Sequence, residues 1–428
     1  MKILLVTKEL GYRGTPKVLA EYARILGSGN EICVWGWQTG GEVAKILCDE
    51  GFNVLVGQES ESVAFDFRPD IVNIHRHGAR DDYETSVLKE FKSKGAICIE
   101  TNVFGRLDCA VSRYLDVSIQ ISKWDLFQWN CWGLDKFVKG VYCPNPVDTG
   151  NFARASLKKI SEMRERWGVP SRGKSGKKSI VLGRIGNTSW KVLEKPLLCA
   201  LQNIPELYFI HVRDHSDNVP ANIRSHERFV AIPRRVGIEE LTSFYSSCDA
   251  CVSMSAIGES FGMVNVEAMA CGTPVIALSA PFHCNAVLET VGMSRGGIVV
   301  ASPELLADVI WQISNNESVG VIDMAQARRY IEKEYSLDAV RERLMFIFNT
   351  TCNIVSSENK GCHDGKHDLL VDKISKEDMS KLFSTVCGSE SLVKKLLFAI
   401  YYSRIGYKIF SFAKNSGILK LFKLVSRL

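Results

Sequence analysis

The sequence lacks any long hydrophobic run, which argues against a conventional transmembrane helix. Spanning a bilayer takes about 20 apolar residues, and no stretch of 18 uninterrupted apolar residues occurs in the 428 positions. The first apolar run, residues 3–6, is also too short for a signal peptide, because Lys8 and Glu9 follow it closely. We therefore expect a buried first strand and a cytoplasmic protein.

Patterns of cysteine and glycine typical of other protein classes are also missing. Most of the 14 cysteines are scattered singly in apolar runs, which indicates reduced, buried thiols rather than a disulfide framework. The pair Cys248 and Cys251 has no second ligand pair at the spacing of a structural zinc site. No Gly-x-Gly-x-x-Gly follows a predicted strand, which argues against a dinucleotide oxidoreductase.

Acidic residues are absent from the end of the chain. Residues 391–428 contain eight lysines and arginines and no aspartate or glutamate, while the whole chain has a net charge of +5. Residues 1–390 therefore carry −3, the difference between +5 and +8. With a nearly neutral body, we expect no nucleic-acid groove and therefore no nucleic-acid partner.

The composition is that of a folded protein with more than one domain. It is 46% apolar and 24% charged, and 428 residues exceed the size of one ordinary domain. Short apolar runs such as residues 2–7 and 70–75 alternate with helical patterns such as residues 16–26. Alternation of this kind predicts an α/β fold of two Rossmann-like, doubly wound domains that face each other across a cleft.

Pro144-Asn145-Pro146 interrupts any regular element and places the exit of the first domain. We predict an acceptor-side domain over residues 1–145 and a donor domain over 146–335. A helix over 336–352 returns towards the first domain, and a linker over 353–390 precedes a basic amphipathic helical tail over 391–428.

Residues 258–276, GESFGMVNVEAMACGTPVI, are the most informative stretch. Glu259 precedes a predicted helix and Glu267 lies about one and a half turns into it, so both carboxylates can face one ligand. Gly262 permits close approach of the backbone, and the first turn of the helix offers N–H groups to an anion. Without the residues between them, two glutamates at this spacing would more often be solvated.

A pair of basic residues lies at and after the end of an earlier predicted strand. Arg184 is followed seven residues later by Lys191, and two such cations suit a diphosphate. Lys195 is an alternative for the role of Lys191. We expect the side chains of Glu259 and Lys191 to face solvent.

These segments resemble the donor domain of family 4 glycosyltransferases, which are retaining enzymes with the two-domain glycosyltransferase-B fold. The resemblance rests on Gly183-Arg184, on residues 258–276 and on the CPNPVD segment at 143–148. In the first half, residues 14–17 (GTPK) resemble the glycine-rich acceptor loop, and DIVNIH at 70–75 resembles the strand that ends in histidine.

The resemblance implies a role for each donor-side residue. Arg184 and Lys191 would bind the donor diphosphate, Glu259 would contact hydroxyls of the donor sugar, and Glu267 would hold the ribose hydroxyls. The backbone at Phe261, Gly262 and Met263 would lie against sugar and phosphate.

The resemblance implies acceptor-side roles for Gly14, Lys17, His75 and Asn102. A histidine that ends an apolar strand is more often a satisfied core residue, and Arg76 and His77 are weaker candidates still. Thr101-Asn102 stands where many relatives carry a histidine.

The implied reaction is transfer of a sugar, with retention, from a nucleotide-diphosphate sugar to a glycan or lipid-linked acceptor. Surface polysaccharide or lipopolysaccharide assembly is the common setting of the family. The resemblance implies no cofactor and no obligatory metal, and no Asp-x-Asp lies near the predicted phosphate site. A nucleotide-sugar epimerase of the same fold and an inactive scaffold are the alternatives.

The composition of the basic tail, residues 391–428, predicts that it binds an anionic membrane surface. Lys420, Lys423 and Arg427 share one helical face, with apolar side chains opposite. We expect peripheral association with the inner face of the membrane; the alternative is a pair of helices packed on the body.

Overall fold

The computed structural model describes residues 1–173, 175–186, 190–213, 218–233, 237–280, 283–315 and 322–358. The chain divides into two compact units. Of the described residues, the first unit contains Met1–Pro146 and Leu337–Glu358, and the second contains those within Val147–Ser336. The chain passes from one unit to the other after Pro146 and after Ser336, each one residue beyond the domain boundaries predicted at 145 and 335. The predicted tail over 391–428 lies outside the described residues.

The first unit is built on a parallel sheet of seven strands. The strands are β1 (Lys2–Glu9), β2 (Glu31–Thr39), β3 (Asn53–Val56), β4 (Ile71–Arg76), β5 (Ile97–Asn102), β6 (Val117–Gln120) and β7 (Lys139–Tyr142). The helices between them are α1 (Gly14–Gly27), α2 (Glu42–Asp49), α3 (Glu61–Asp66), α4 (Asp82–Ser93), α5 (Cys109–Ser112) and α6 (Lys123–Trp132).

The strand order of this sheet is β3-β2-β1-β4-β5-β6-β7. Leu4 in β1 lies opposite Cys33 in β2 and Val72 in β4, and all three side chains are buried. Because β1 is covered on both faces, its apolar run is continuous, as expected for a central parallel strand. The first strand predicted from the sequence is therefore confirmed.

The second unit contains a parallel sheet of six strands and a separate two-stranded pair. The strands are β8 (Ile180–Ile185), β9 (Leu207–Arg213), β10 (Phe229–Pro233), β11 (Ala250–Ser253), β12 (Gly258–Glu259), β13 (Val275–Leu278), β14 (Cys284–Asn285) and β15 (Gly297–Val300). The helices are α7 (Leu157–Arg166), α8 (Trp190–Asn203), α9 (Ala221–Arg224), α10 (Ile238–Ser247), α11 (Met263–Ala270), α12 (Leu306–Ser314) and α13 (Met324–Tyr335), with a π-helix over Leu288–Met293.

The strand order of the larger sheet is β10-β9-β8-β11-β13-β15, and β12 pairs with β14. Leu182, Val252 and Ile276, one from each of three adjacent strands, lie in a common buried core. Together the two parallel sheets form the predicted α/β architecture of two doubly wound domains.

The last described helix, α14 (Leu337–Glu358), belongs to the first unit. Arg341 on α14 donates a hydrogen bond from Nε to the carbonyl of Ile25 in α1 at 2.9 Å. The helix runs six residues beyond the predicted end at 352, so the first residues of the predicted linker are helical. None of the helices within the described ranges is long and apolar enough to cross a membrane.

Helix α6 was not predicted from the sequence, because it lacks an amphipathic pattern. Its sequence is KWDLFQWNCW, and most of its side chains are buried: Trp124, Asp125, Leu126, Phe127, Gln128, Trp129 and Trp132. A helix that is buried on most sides has no polar face, so the usual 3.6-residue periodicity disappears. The side chain of Ser122 caps its start by accepting a hydrogen bond from the backbone N–H of Asp125 at 3.0 Å.

Candidate functional site

The fold of the second unit brings Arg184 and Glu259 to one place. The strand order reverses between β8 and β11, and open parallel sheets bind ligands beyond the carboxyl ends of the strands at such a point. Arg184 is the next-to-last residue of β8, and Glu259 ends β12, which follows β11 after a short loop. Two residues far apart in the sequence thus meet at the expected edge of the sheet.

Arg184 and Glu259 interact electrostatically in a partly enclosed setting. Arg184 is buried and donates a hydrogen bond from Nη1 to the carbonyl of Val252 at 3.1 Å. Burial raises the pKa of Glu259, while the positive charge of Arg184 and the hydroxyl of Ser253 oppose that rise. The Ser253 Oγ donates to Glu259 Oε1 at 3.3 Å. Arg184 therefore stabilises the charged form of the carboxylate.

The expectation that Glu259 faces solvent is wrong in part. Its side chain is half-buried, because Gly258–Glu259 pairs with Cys284–Asn285 and the Glu259 carbonyl accepts a hydrogen bond from the Ala286 N–H at 3.0 Å. A Cβ on Gly258, whose φ is +70°, would lie 1.6 Å from the carbonyl oxygen of Cys284. Only glycine fits there, so the approach of these two strands depends on it.

Gly262 shapes the start of helix α11. It has a φ of +80°, in the left-handed region, and precedes Met263, the first residue of the helix. Phe261 is buried and packs edge-to-face on Tyr335 with ring centres 5.2 Å apart, so its side chain points into the unit. Met263 is half-buried. The inward side chain of Phe261 leaves its backbone as the part that could contact a ligand, and that contact stays a prediction.

Glu267 lies in the same helix and is half-buried. Its Oε2 accepts a hydrogen bond from the hydroxyl of Tyr245 at 2.6 Å, and Tyr245 is fully buried in helix α10. The sequence offered no sign of Tyr245 or Ser253 as partners of the two glutamates, since both belong to ordinary core-forming segments.

Lys191 is exposed, as expected, and is the second residue of helix α8 after β8. Lys195 lies about one turn further along the same helix and is also exposed. Because both side chains are exposed, their burial does not distinguish which lysine would bind the diphosphate, and mutation of each is needed to decide.

The acceptor-side residues near the start of the chain are accessible. Gly14 is the first residue of helix α1 and is exposed. Lys17 is half-buried, with its Nζ 3.8 Å from the centre of the Tyr12 ring. Both follow β1, which is next to β4 where the strand order of the first sheet reverses.

His75 lies in the core of the first unit. It is buried, its Nε2 lies 3.1 Å from Asn73 Oδ1, and its ring packs against Tyr22 at 4.8 Å. Burial lowers the pKa of His75 to about 3, so the ring is neutral at physiological pH. This geometry favours a satisfied core histidine and gives no support to a contact with an acceptor.

Asn102 is fully buried and organises a loop. Its Oδ1 accepts hydrogen bonds from the N–H groups of Phe104 and Arg106 at 3.3 and 3.2 Å, and its Nδ2 donates to the Arg106 carbonyl at 2.7 Å. Its side chain is engaged within the domain, so the geometry gives no support to an acceptor role either.

Arg76, the weaker candidate next to His75, is buried among three acidic side chains. It pairs with Glu84 at 2.7 Å, Asp108 at 2.9 Å and Glu100 at 3.3 Å. This ion-pair cluster links β4, β5 and helix α4 and is part of the interior. His77, by contrast, is exposed, and its ring lies 5.4 Å from that of Phe104.

Cys248 and Cys251 are buried thiols. Cys248 donates from Sγ to the Phe244 carbonyl at 3.3 Å. Across the described part of the chain, no group of three or more His, Cys, Asp or Glu side chains is arranged to hold a metal ion.

A family model matches the part of the chain that contains the candidate site. Residues 181–316 match the family model described as glycosyl transferases group 1. The curated D-inositol 3-phosphate glycosyltransferase of Corynebacterium urealyticum is 29% identical over 114 residues. That alignment covers 26% of this chain and 26% of the relative, so the chain spans about a quarter of the length of this relative.

Structural comparison extends over most of the chain. A glycosyltransferase from Rickettsia africae is similar with a TM-score of 0.64 and 18% identity, over 82% of this chain and 98% of that one. HepE of Anabaena, solved in complex with UDP and glucose, is similar with a TM-score of 0.62 and 16% identity, over 83% and 100%. The chain therefore has the two-domain glycosyltransferase-B fold, and its residues 181–316, which contain Arg184, Glu259 and Glu267, match the group 1 glycosyltransferases.

Proposed function

We propose that this protein is a retaining glycosyltransferase that uses a nucleotide-diphosphate sugar as donor. The observation that carries the proposal is the electrostatic interaction of buried Arg184 with Glu259 at the carboxyl edge of the second sheet. A cation and a half-buried carboxylate at that edge suit the phosphate and the hydroxyl groups of one donor. The family match over residues 181–316 supports the same assignment.

Each donor-side residue has a defined task in this proposal. Arg184 and Lys191 offset the negative charge that develops on the leaving diphosphate. Glu259, kept charged with the help of Arg184, accepts hydrogen bonds from hydroxyls of the donor sugar. Glu267 accepts hydrogen bonds from the ribose, and residues 261–263 place backbone against the sugar and the phosphate.

The proposed chemistry needs no carboxylate nucleophile. The carboxylates orient the donor rather than serve as the nucleophile and acid of a glycosidase. Orientation and stabilisation of the leaving diphosphate supply most of the rate, and an oxygen of that diphosphate takes the acceptor proton. We propose that the enzyme uses no cofactor and no obligatory metal, the nucleotide sugar being its substrate.

The proposed acceptor is a glycan or a lipid-linked sugar in surface polysaccharide or lipopolysaccharide assembly. Gly14 and Lys17, which are accessible after β1, are the acceptor-side residues whose placement supports a contact. The basic composition of residues 391–428 supports a site of action at the inner face of an anionic membrane, with the protein bound peripherally from the cytoplasm.

Binding and product analysis test the proposal. Calorimetry of the full chain with UDP, GDP and ADP should show one preferred nucleotide, and the corresponding nucleotide sugar should be a donor. NMR of the product should show the donor's anomeric configuration, and EDTA should leave the rate unchanged.

Incubation without an acceptor separates the alternatives. Slow hydrolysis or no reaction agrees with a transferase, whereas an altered sugar would indicate an epimerase. Binding of none of the three nucleotides would contradict the donor site.

A further inference from the structure

Tyr245 is a buried side chain whose only polar group points at Glu267. The tyrosine is fully buried in helix α10, and its hydroxyl donates to Glu267 Oε2 at 2.6 Å. Glu267 lies on a different helix, α11, and is half-buried. The hydrogen bond therefore connects an interior side chain to a carboxylate that still reaches the surface.

The ring of Tyr245 has little freedom to move. It packs against Phe244 and Phe152, with ring centres 5.8 and 6.3 Å apart. Its backbone carbonyl accepts a hydrogen bond from Thr273 Oγ1 at 2.7 Å, just beyond the end of helix α11. A side chain held in this way presents its hydroxyl at one fixed position, so the Glu267 oxygen it binds is also fixed.

The hydroxyl remains a donor over the whole physiological range. Burial and the negative charge of Glu267 raise the pKa of Tyr245 well above its ordinary value. A neutral phenol beside an ionised carboxylate can only donate to it, so the hydrogen bond runs from Tyr245 to Glu267.

We infer that Tyr245 is a positioning residue that holds the Glu267 carboxylate in the orientation that accepts hydrogen bonds from the two ribose hydroxyls of the donor nucleotide. The inference rests on the proposed function, in which Glu267 binds the ribose. A carboxylate held in one rotamer can accept hydrogen bonds from both hydroxyls of a vicinal diol. A carboxylate that is free to rotate discriminates less well between a diol and a single hydroxyl. Tyr245 thereby determines the preference of the site for ribonucleotides over 2′-deoxyribonucleotides.

Calorimetry with matched nucleotides tests the inference. UDP, GDP and ADP are each compared with their 2′-deoxy counterparts on the full chain and on Tyr245→Phe. For the preferred base, we expect the unmodified protein to bind the ribonucleotide about tenfold more tightly or better. Tyr245→Phe keeps the buried ring, and we expect it to reduce that ratio to about threefold or less.

Two further variants separate positioning from general damage. Tyr208→Phe, on strand β9 of the same unit, removes a tyrosine hydroxyl elsewhere and should leave the ratio unchanged. Glu267→Gln should reduce the ratio as Tyr245→Phe does. In turnover, Tyr245→Phe should raise KM for the donor and leave kcat nearly unchanged, because the ribose is remote from the reacting carbon.

The outcomes separate a failure of the role inferred for Tyr245 from a failure of the proposed donor site. If Glu267→Gln loses the selectivity and a correctly folded Tyr245→Phe keeps it, the inference about Tyr245 is wrong and the donor site stands. If Glu267→Gln also keeps the selectivity, the ribose contact is wrong, and the role of Tyr245 falls with it. If the unmodified protein binds none of the nucleotides, the proposed function itself fails.

Discussion

Arg184 on strand β8 donates a hydrogen bond to the carbonyl of Val252 on the neighbouring strand β11 at 3.1 Å. The bond holds a buried guanidinium across the point where the strand order of the second sheet reverses. From this position the cation also stabilises the carboxylate of Glu259. Arg184 is thus part of the interior and of the candidate site at once, which gives its replacement two consequences.

We predict that Arg184→Ala lowers both activity and stability. Loss of an electrostatic stabiliser costs about 100- to 1,000-fold in transfer rate. Leaving the half-buried Glu259 carboxylate and the Val252 carbonyl without this partner lowers the free energy of unfolding by about 1–3 kcal/mol. Steady-state kinetics and denaturant melts measure the two effects. Unchanged activity in a folded Arg184→Ala protein would contradict the site.

Replacing Lys191 should affect activity and leave stability unchanged, because its side chain is exposed. We predict that Lys191→Ala lowers the transfer rate by about 100-fold while the melting temperature stays unchanged. Lys195→Ala is the matched control, one turn away on the same exposed helix. If the loss appears in Lys195→Ala instead, the diphosphate lysine is Lys195.

Ser253 contributes to the pKa of Glu259, after burial and the charge of Arg184. Burial raises the Glu259 pKa, and the Ser253 hydroxyl opposes the rise. Since the charged carboxylate is the form that accepts hydrogen bonds from sugar hydroxyls, activity falls as the pH drops through this raised pKa. We predict that Ser253→Ala shifts the acid limb of the kcat/KM profile to higher pH. An acid limb that stays in place would exclude Ser253 from this role.

Asp125 makes the stability of the first unit decrease as the pH rises towards 8. It is fully buried in helix α6, and burial raises its pKa to about 8. Between its unfolded value near 4 and about 8, the folded state binds the extra proton, so stability falls as the pH rises through this interval. The fall ends above the folded pKa.

We predict that Asp125→Asn removes most of this pH dependence. At pH 8 the variant should be more stable than the unmodified protein by about 2 kcal/mol, because the amide carries no charge to bury. The difference should shrink towards pH 4. Urea melts across this range measure it, and parallel stability curves for the two proteins would contradict the prediction.

We predict that residues 391–428 bind anionic membranes. Eight basic residues can contribute about 1 kcal/mol each near an anionic leaflet. In co-sedimentation with anionic vesicles, the full chain should pellet and a chain that ends at Glu390 should stay in solution. Neutral vesicles and a Lys420→Glu, Lys423→Glu double variant are the controls. Equal pelleting of the full and shortened chains would contradict the prediction.

The α/β character was predictable from the sequence because it depends on local patterns. A central parallel strand is apolar on both faces, so residues 3–6 identify β1 without reference to any partner. The segment from Gly258 to Glu267 was equally readable, because the turn glycines, the helix start and the two carboxylates lie close together in the chain.

The surroundings of each side chain were decided only by the tertiary structure. Arg184 and Glu259 meet because β8, which carries Arg184, lies next to β11 in the sheet, and β12, which ends at Glu259, follows β11 after a short loop. The tertiary structure also half-buries a carboxylate that we expected in solvent. His75 and Asn102 carry the polar groups of ligand-binding residues, yet folding encloses both. A residue's type determines what it can bind, whereas burial and long-range contacts determine whether a ligand can reach it.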